Sequence, residues 1–346
     1  MKASNSIKKN AGFVNKLLKK ELKGNPKQLY DAASHLILHG GKRLRPFLVR
    51  KSCQMLGGNP STAIAAASAV EMIHNFTLVH DDIMDNDEMR HGVPTTHKKF
   101  DMPLAILAGD VLYSKAYHII SYKSNSWRNF TSEGLRKNFW LLMLVSNLSK
   151  ACVKICEGQV NDIKFAENKR IPTEKEYIKM IEKKTAVLFE VSCAMGAICA
   201  IMSRKPLGKL QPKRDIQNLS AFGRNLGIVF QITDDLIGII GDSKITKKPV
   251  GNDIREGKKT LPIILAIKKA RGKNKKIILR VFGNSKASKQ QIRLAVNVIR
   301  SLGVEDEVRS MTLKYAQQAE KSIRAYTGMA KNEIISLLDF VIKRRL

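Results

Sequence analysis

Ala69-Val70-Glu71-Met72-Ile73-His74-Asn75-Phe76-Thr77-Leu78-Val79-His80-Asp81-Asp82-Ile83-Met84-Asp85 decides the fold class. Ala69, Met72, Ile73, Phe76, Val79 and Ile83 recur at helical spacing, so the stretch reads as a helix with one apolar side that becomes acidic at its end. Asp81 and Asp85 are one turn apart on a common face, and Asp82 lies about 100° round from Asp81. Carboxylates in apolar surroundings are costly unless a cation or hydrogen-bond donors neutralise them. A second cluster, Asp234-Asp235-Leu236-Ile237-Gly238, follows an apolar run of Phe222, Leu226, Val229, Phe230 and Ile232. Two such clusters, with no Cys or His interleaved, suggest a shared cavity for several hard divalent cations. Mg²⁺ fits best, and Mg²⁺ held by one or two carboxylates usually accompanies phosphate groups.

Helical spacing continues outward from these stretches. Tyr177, Ile181, Val187, Leu188, Val191, Met195 and Ile198 mark another long helix. Period-two runs are scarce and hairpin signals nearly absent, while Gly57-Gly58-Asn59-Pro60 and Lys205-Pro206-Leu207-Gly208 read as interhelical turns. The expectation is an all-α chain. Apolar residues make up 44% of 346, enough for a sizeable core, and no Ser/Gly/Pro-rich linker divides them. One domain over residues 1–346 is expected.

The stretch Met1–Leu22 is basic and amphipathic but lacks the continuous apolar segment and cleavage site of a signal peptide. Thr185–Met202 is the longest apolar stretch; Glu190 and many small residues within it favour a buried core helix over a membrane span. Cys53, Cys152, Cys156, Cys193 and Cys199 fall mostly in apolar helical runs, and no second Cys/His pair completes a tetrahedral metal site with Cys152 and Cys156. Reduced core thiols and a cytoplasmic protein are expected. The formal net charge is +31, and Ser243–Gln290 holds 15 Lys/Arg against Asp253 and Glu256. Such a field draws in anions, an anionic membrane surface included. Without a helix-turn-helix, zinc-finger or aromatic RNA-binding pattern, no nucleic-acid function is expected.

Three basic clusters suit phosphate oxygens. Gly40-Gly41-Lys42-Arg43-Leu44-Arg45-Pro46 sets three cations after a flexible pair, Lys184-Thr185 opens the long apolar helix, and Lys248 to Lys258 frames a Gly-rich turn. Taken with Glu71-Met72-Ile73-His74, His80 to Asp85, Lys184-Thr185-Ala186, Phe230-Gln231-Ile232-Thr233-Asp234-Asp235 and Gly257-Lys258, these motifs occur in the order of the trans-isoprenyl (polyprenyl) diphosphate synthases. The sequence resembles that family from about Leu29 to Lys268, and most of all its archaeal geranylgeranyl diphosphate synthases.

That resemblance implies an isoprenoid synthase bundle of helices around a central cavity, homodimeric, using several Mg²⁺ ions. It implies that Asp81, Asp82, Asp85, Asp234, Asp235 and Asp242 serve the metals. Arg90, Lys184, Lys248 and Lys258 would bind an allylic diphosphate, while Thr185 and Gln231 line the reaction centre. Lys42, Arg45, His74 and His91 would hold isopentenyl diphosphate. The implied reaction is prenyl transfer: the allylic diphosphate departs, the double bond of isopentenyl diphosphate attacks the cation, and a proton is lost. Phe76 and Thr77, with Met72 and Ile73 one turn deeper, would set product length at twenty carbons. Two departures stand out. Arg90-His91-Gly92 replaces the usual Arg-Arg-Gly, removing one guanidinium fork. Gly238 stands where many members have a third aspartate, and Asp242 one turn on is the expected compensation. The competing expectations are a farnesyl or longer product, and a non-catalytic subunit that binds prenyl diphosphates.

Overall fold

The computed structural model describes residues 2–124, 131–168, 170–203, 211–240 and 251–343. Asp242, Lys248 and the Lys205–Gly208 turn lie outside these described residues. The chain runs through α1 (Lys2–Glu21), α2 (Lys27–His39), α3 (Leu44–Met55) and α4 (Ile64–Met84) to a hairpin of β1 (Met89–Arg90) and β2 (Val93–Pro94). It continues through α5 (Thr96–Lys99), α6 (Met102–Ser124), α7 (Ser132–Glu167) and α8 (Glu174–Ile181). A π-helical turn, Glu182–Ala186, leads into α9 (Val187–Ser203), followed by α10 (Pro212–Ile240) and α11 (Asn252–Arg255). The remainder is α12 (Leu261–Lys269), α13 (Gly272–Val281), α14 (Lys289–Ser301), α15 (Val304–Ser322) and α16 (Met329–Ile342). The fold is all-α.

Two compact units divide the chain. The first comprises Met1–Cys152, Leu188–Ser220 and Ile323–Ile334. Here α4 packs against α6, α3 and α1. Its opening Ile-Ala-Ala-Ala-Ser-Ala-Val run has strong helix formers and no β-branched block, and its inward face (Ala66, Ala69, Val70, Met72, Ile73) is fully or almost fully buried. Burying a side chain such as Met72 contributes about 1.5–3 kcal/mol. The amphipathic α1 is part of this unit and buries Val14 and Leu18. Arg43 and Glu71 form an ion pair at 2.9 Å that is 5% and 3% exposed.

The second unit comprises Val153–Val187, Ala221–Ser322 and Ile335–Leu346. Its core joins Tyr177, Met180 and Ile181 of α8 to Ile228, Ile232, Leu236 and Ile239 of α10 and to the apolar faces of α12, α14 and α15. α8 starts from a capping box in which Thr173 and Glu176 satisfy each other's backbone N–H.

The segment Glu174–Ser203 is long and apolar enough to cross a membrane, but 83% of its apolar window is buried inside the protein, as expected of a core helix. Periodicity placed one uninterrupted helix there. The π turn at Glu182–Ala186 interrupts it, and the change of apolar phase between Ile181 and Val187 marks the extra residue.

Candidate active site

The first aspartate cluster closes α4. Asp81 and Asp82 belong to its last turn, and Asp85 follows as the C-cap. Asp82 is fully buried and takes a 2.7 Å hydrogen bond from Arg90 Nε on its Oδ1, while Arg90 Nη2 also reaches Asp87 at 3.1 Å. Burial pushes the Asp82 carboxyl up to about 6 even beside this cation. Burial works against the Arg90 charge as well, yet the aspartates outweigh it and raise the guanidinium pKa. Asp82 therefore fixes the Arg90 side chain just beyond the Asp81–Asp85 turn.

The Arg90-bearing hairpin pairs Arg90 with Val93 around His91 and Gly92, at φ 54° and 81°. Two successive left-handed residues are the signature of a type I′ turn, which matches the twist of paired strands. Histidine is among the few non-glycine residues enriched in that region. The hairpin was not expected from the sequence, because two-residue strands carry no period-two pattern. His35 on α2 anchors it through a 2.8 Å contact with the Pro94 carbonyl.

Four predicted residues for isopentenyl diphosphate divide here. His91 packs on Gly40, where a Cβ would meet its ring at 2.7 Å, so only glycine lets the chain pass. Arg45 lies 3.1 Å from His74 Nε2 and stacks 4.4 Å above the Phe189 ring. Burial, then the nearby Arg45, His91, Arg43 and Arg90 charges, hold His74 well below the usual histidine range, so it is a neutral imidazole accepting from Arg45. Burial also lowers the Arg45 pKa to about 10. The structure thus gathers Arg45, His74 and His91, and leaves Lys42 exposed on the α2–α3 connection. Arg43 is committed elsewhere, to Glu71, Asn15 Oδ1 at 2.9 Å and the Ile37 carbonyl.

Phe76 faces α6. Its ring is 5.3 Å from Tyr113, which is 5.0 Å from Tyr117, and the Tyr117 hydroxyl donates to Cys152 Sγ at 3.5 Å. Thr77 returns its hydroxyl to the His74 carbonyl at 2.8 Å, while Met72 and Ile73 are fully buried. Tyr113 and Tyr117 escaped the sequence reading; their i, i+4 spacing on an apolar helix was the available signal.

The second cluster rides on α10. Asp235 is 7% exposed; its Oδ1 accepts from Gln231 Nε2 at 2.7 Å and its Oδ2 from the buried Tyr177 hydroxyl. Burial pushes the Asp235 carboxyl up to about 7, against these two donors and with Asp253 adding to the rise. Thr185 donates to Gln231 Oε1 at 2.8 Å. Lys184 pairs with Asp162 at 2.7 Å, and Gly158 one turn earlier on α7 admits the Lys184 backbone: a Cβ there would lie 2.3 Å from its nitrogen. Lys258 pairs with Glu256 at 2.9 Å on the surface.

Gly238 has a specific neighbour. A Cβ at this position would lie 2.3 Å from Asp253 Oδ2, so the space of a third cluster aspartate is filled by a carboxylate from α11. Asp162 and Asp253 were missed as candidates; a carboxylate one turn past Gly158 and another two residues past Gly251 were the only local hints.

The donors fit Mg²⁺ by type: clustered carboxylate oxygens, with one buried Asp82 oxygen lacking a hydrogen-bond partner. Among the described residues no three acidic, His or Cys side chains form a closed cage. Mg²⁺ does not require such a cage, because it binds through one or two carboxylates plus water and substrate oxygens.

An all-α fold with two aspartate clusters, the first tied to the fixed guanidinium of Arg90 and the second to the Tyr177 hydroxyl and the Gln231 amide, defines an isoprenoid synthase. The chain belongs to the polyprenyl synthetase family, whose model matches residues 26–299. It is a prenyltransferase. Geranylgeranyl diphosphate synthase of Saccharolobus solfataricus is 40% identical over 96% of this chain and 95% of the relative. Geranylfarnesyl diphosphate synthase of Aeropyrum pernix is 37% identical over 92% and 95%. Among solved structures, geranylgeranyl pyrophosphate synthetase of Pyrococcus horikoshii aligns with a TM-score of 0.85 at 35% identity, covering 99% of both chains.

Proposed function

We propose that this chain condenses isopentenyl diphosphate with shorter allylic diphosphates, in the presence of Mg²⁺, to give all-E geranylgeranyl diphosphate. The observation that carries this reading is Arg90, a guanidinium pinned by buried Asp82 at the first aspartate cluster and felt by the charge of Asp81. Carboxylates, a divalent ion and a fixed guanidinium are what a departing diphosphate requires. Asp81, Asp85 and Asp234, with Asp253 beside Gly238, would hold the ions, which neutralise the leaving group when bound. Asp82 and Asp235 are spent mainly on Arg90 and on Tyr177 with Gln231.

Arg90 and Lys184, with Lys248 and Lys258, grip the allylic diphosphate; Arg45, neutral His74 and His91, with Lys42, hold the homoallylic one. Thr185 and Gln231 turn dipoles toward the allylic cation, and the released pyrophosphate takes the proton. Phe76, backed by Tyr113, limits the chain to twenty carbons. Relatives named for geranylgeranyl products support this length. The test supplies labelled isopentenyl diphosphate with dimethylallyl, geranyl or farnesyl diphosphate and resolves the products. A dominant twenty-carbon product supports the reading; a dominant twenty-five-carbon product moves it toward the Aeropyrum relative, and no product overturns it.

We further propose a cytoplasmic homodimer. Met102, Ile106, Leu107 and Tyr122 of α6 and Leu135, Phe139 and Leu142 of α7 are all more than 40% exposed, a large apolar area to leave in water. Five free cysteines fit a reducing compartment. Mass measurement in solution tests the dimer, and a monomer at micromolar concentration contradicts it.

A further inference from the structure

We propose that Tyr177 is a positioning residue for prenyl transfer, acting through Asp235 and Gln231 on the Thr185 hydroxyl. The inference rests on the prenyltransferase reading above, because Thr185 and Gln231 are taken as the dipoles facing the reacting carbon.

The four side chains form one directed chain of hydrogen bonds. The Tyr177 hydroxyl donates to Asp235 Oδ2. Asp235 Oδ1 accepts the Gln231 amide at 2.7 Å, which fixes that side chain's nitrogen toward the carboxylate and its oxygen away from it. Gln231 Oε1 then accepts the Thr185 proton at 2.8 Å. In its ionised form Asp235 only accepts, which turns the Gln231 amide nitrogen toward it and leaves the Gln231 oxygen to take the Thr185 proton. The hydroxyl proton is spent inward, and the Thr185 oxygen is left with its lone pairs for other neighbours. A lone pair stabilises a nearby carbocation, whereas a hydroxyl proton pointing at it repels it.

Tyr177 secures the far end of this chain. It sits in α8, 1% exposed, in the core of the second unit among Met180, Ile181 and Ile232. Its ring is held by packing, and its hydroxyl donates to Asp235. Phenylalanine would fill the same space and remove only the donor. The second Asp235 oxygen would then lie buried without its partner, and a carboxylate in that state rotates toward another donor. Gln231 loses its anchor with it, and Thr185 its acceptor. The π turn that carries Lys184-Thr185 starts five residues after Tyr177, so the same short segment supplies the anchor and the group it positions.

The experiment is a kinetic cycle on the full-length enzyme with Mg²⁺, geranyl and isopentenyl diphosphates, comparing wild type, Tyr177→Phe, Thr185→Val and the double variant. Tyr177→Phe should lower kcat roughly 10- to 100-fold with KM for both substrates within about threefold of wild type. In the Thr185→Val background the same change should cost less than about threefold, because the endpoint it acts on is already gone. Affinity for a non-reactive thiolodiphosphate analogue of the allylic substrate should be unchanged in both backgrounds. Full additivity of the two substitutions, or a KM rise that accounts for the loss, overturns the proposal. An inactive wild type sinks the prenyltransferase reading instead. Circular dichroism checks folding. Should Tyr177→Phe fail to fold, 3-fluorotyrosine at position 177 keeps the packing and strengthens the donor; a kcat indistinguishable from wild type then overturns the proposal.

Discussion

Asp81-Asp82-Ile83-Met84-Asp85 and Asp234-Asp235-Leu236-Ile237-Gly238 are almost the same phrase, and the protein completes them differently. In each, the second aspartate is buried and bound to protein groups. Asp82 is met by a cation, Arg90, and Asp235 by neutral donors, Tyr177 and Gln231. The fifth position differs too. Asp85 is supplied by the local repeat, whereas at Gly238 the space is taken by the carboxylate of Asp253 from another helix. On the proposal that Asp253 serves the ions, the ligand set belongs to a volume rather than to a motif. A glycine can be the way a chain makes room for a donor from elsewhere.

The comparison can be broken at several points, the most damaging first. If the first aspartates are equivalent, Asp81→Ala and Asp234→Ala should each lower kcat by roughly 10³-fold or more. A tenfold difference between them would end the equivalence. Gly238→Asp would force a second carboxylate onto Asp253 and should cost on the order of 100-fold, recovered in part by adding Asp253→Gly. Steady-state kinetics of the four variants reads this out.

Three further tests probe the first unit, two of its charged setting and one of its product floor. The first unit also depends on the buried Arg43–Glu71 pair. Removing one partner, as in Glu71→Ala, should cost about 3–5 kcal/mol in urea unfolding. The pair lies beside His74, which is held neutral by burial and its cationic neighbours. A histidine with a depressed folded pKa stabilises the fold above its unfolded value of 6.5, and that contribution is lost as pH falls below it. His74→Gln should therefore flatten the fall in stability between pH 6.5 and 5, measured by the same unfolding curves. Phe76→Ser should leave stability nearly unchanged and lengthen the product by at least one five-carbon unit; unchanged length would remove Phe76 as the floor.

Much of this was legible in the sequence where the signal was local. The stripe from Ala69 to Ile83 predicted α4, and its burial follows from that spacing. Arg45, His74 and His91 were named from motifs and come together in space. What stayed hidden depends on chain segments meeting. Asp253 sits in a basic, Gly-rich stretch and looks like a solvated acid until Gly238 is seen against it. Tyr177 reads as one more apolar stripe residue, because periodicity records where a ring is buried and not what its hydroxyl touches. The His91-Gly92 turn was obscured because a departure from a motif drew notice as chemistry rather than as backbone geometry.

The central claim is our proposal that Asp253, which occupies the space beside Gly238, completes the second cluster. It is tested most directly by titrating Mg²⁺ against initial rate for Asp253→Asn and Asp242→Asn in parallel. The account predicts that Asp253→Asn raises the half-saturating Mg²⁺ concentration by about 10-fold or more, while Asp242→Asn stays within about threefold of wild type. The opposite ranking would contradict it and return the role to Asp242.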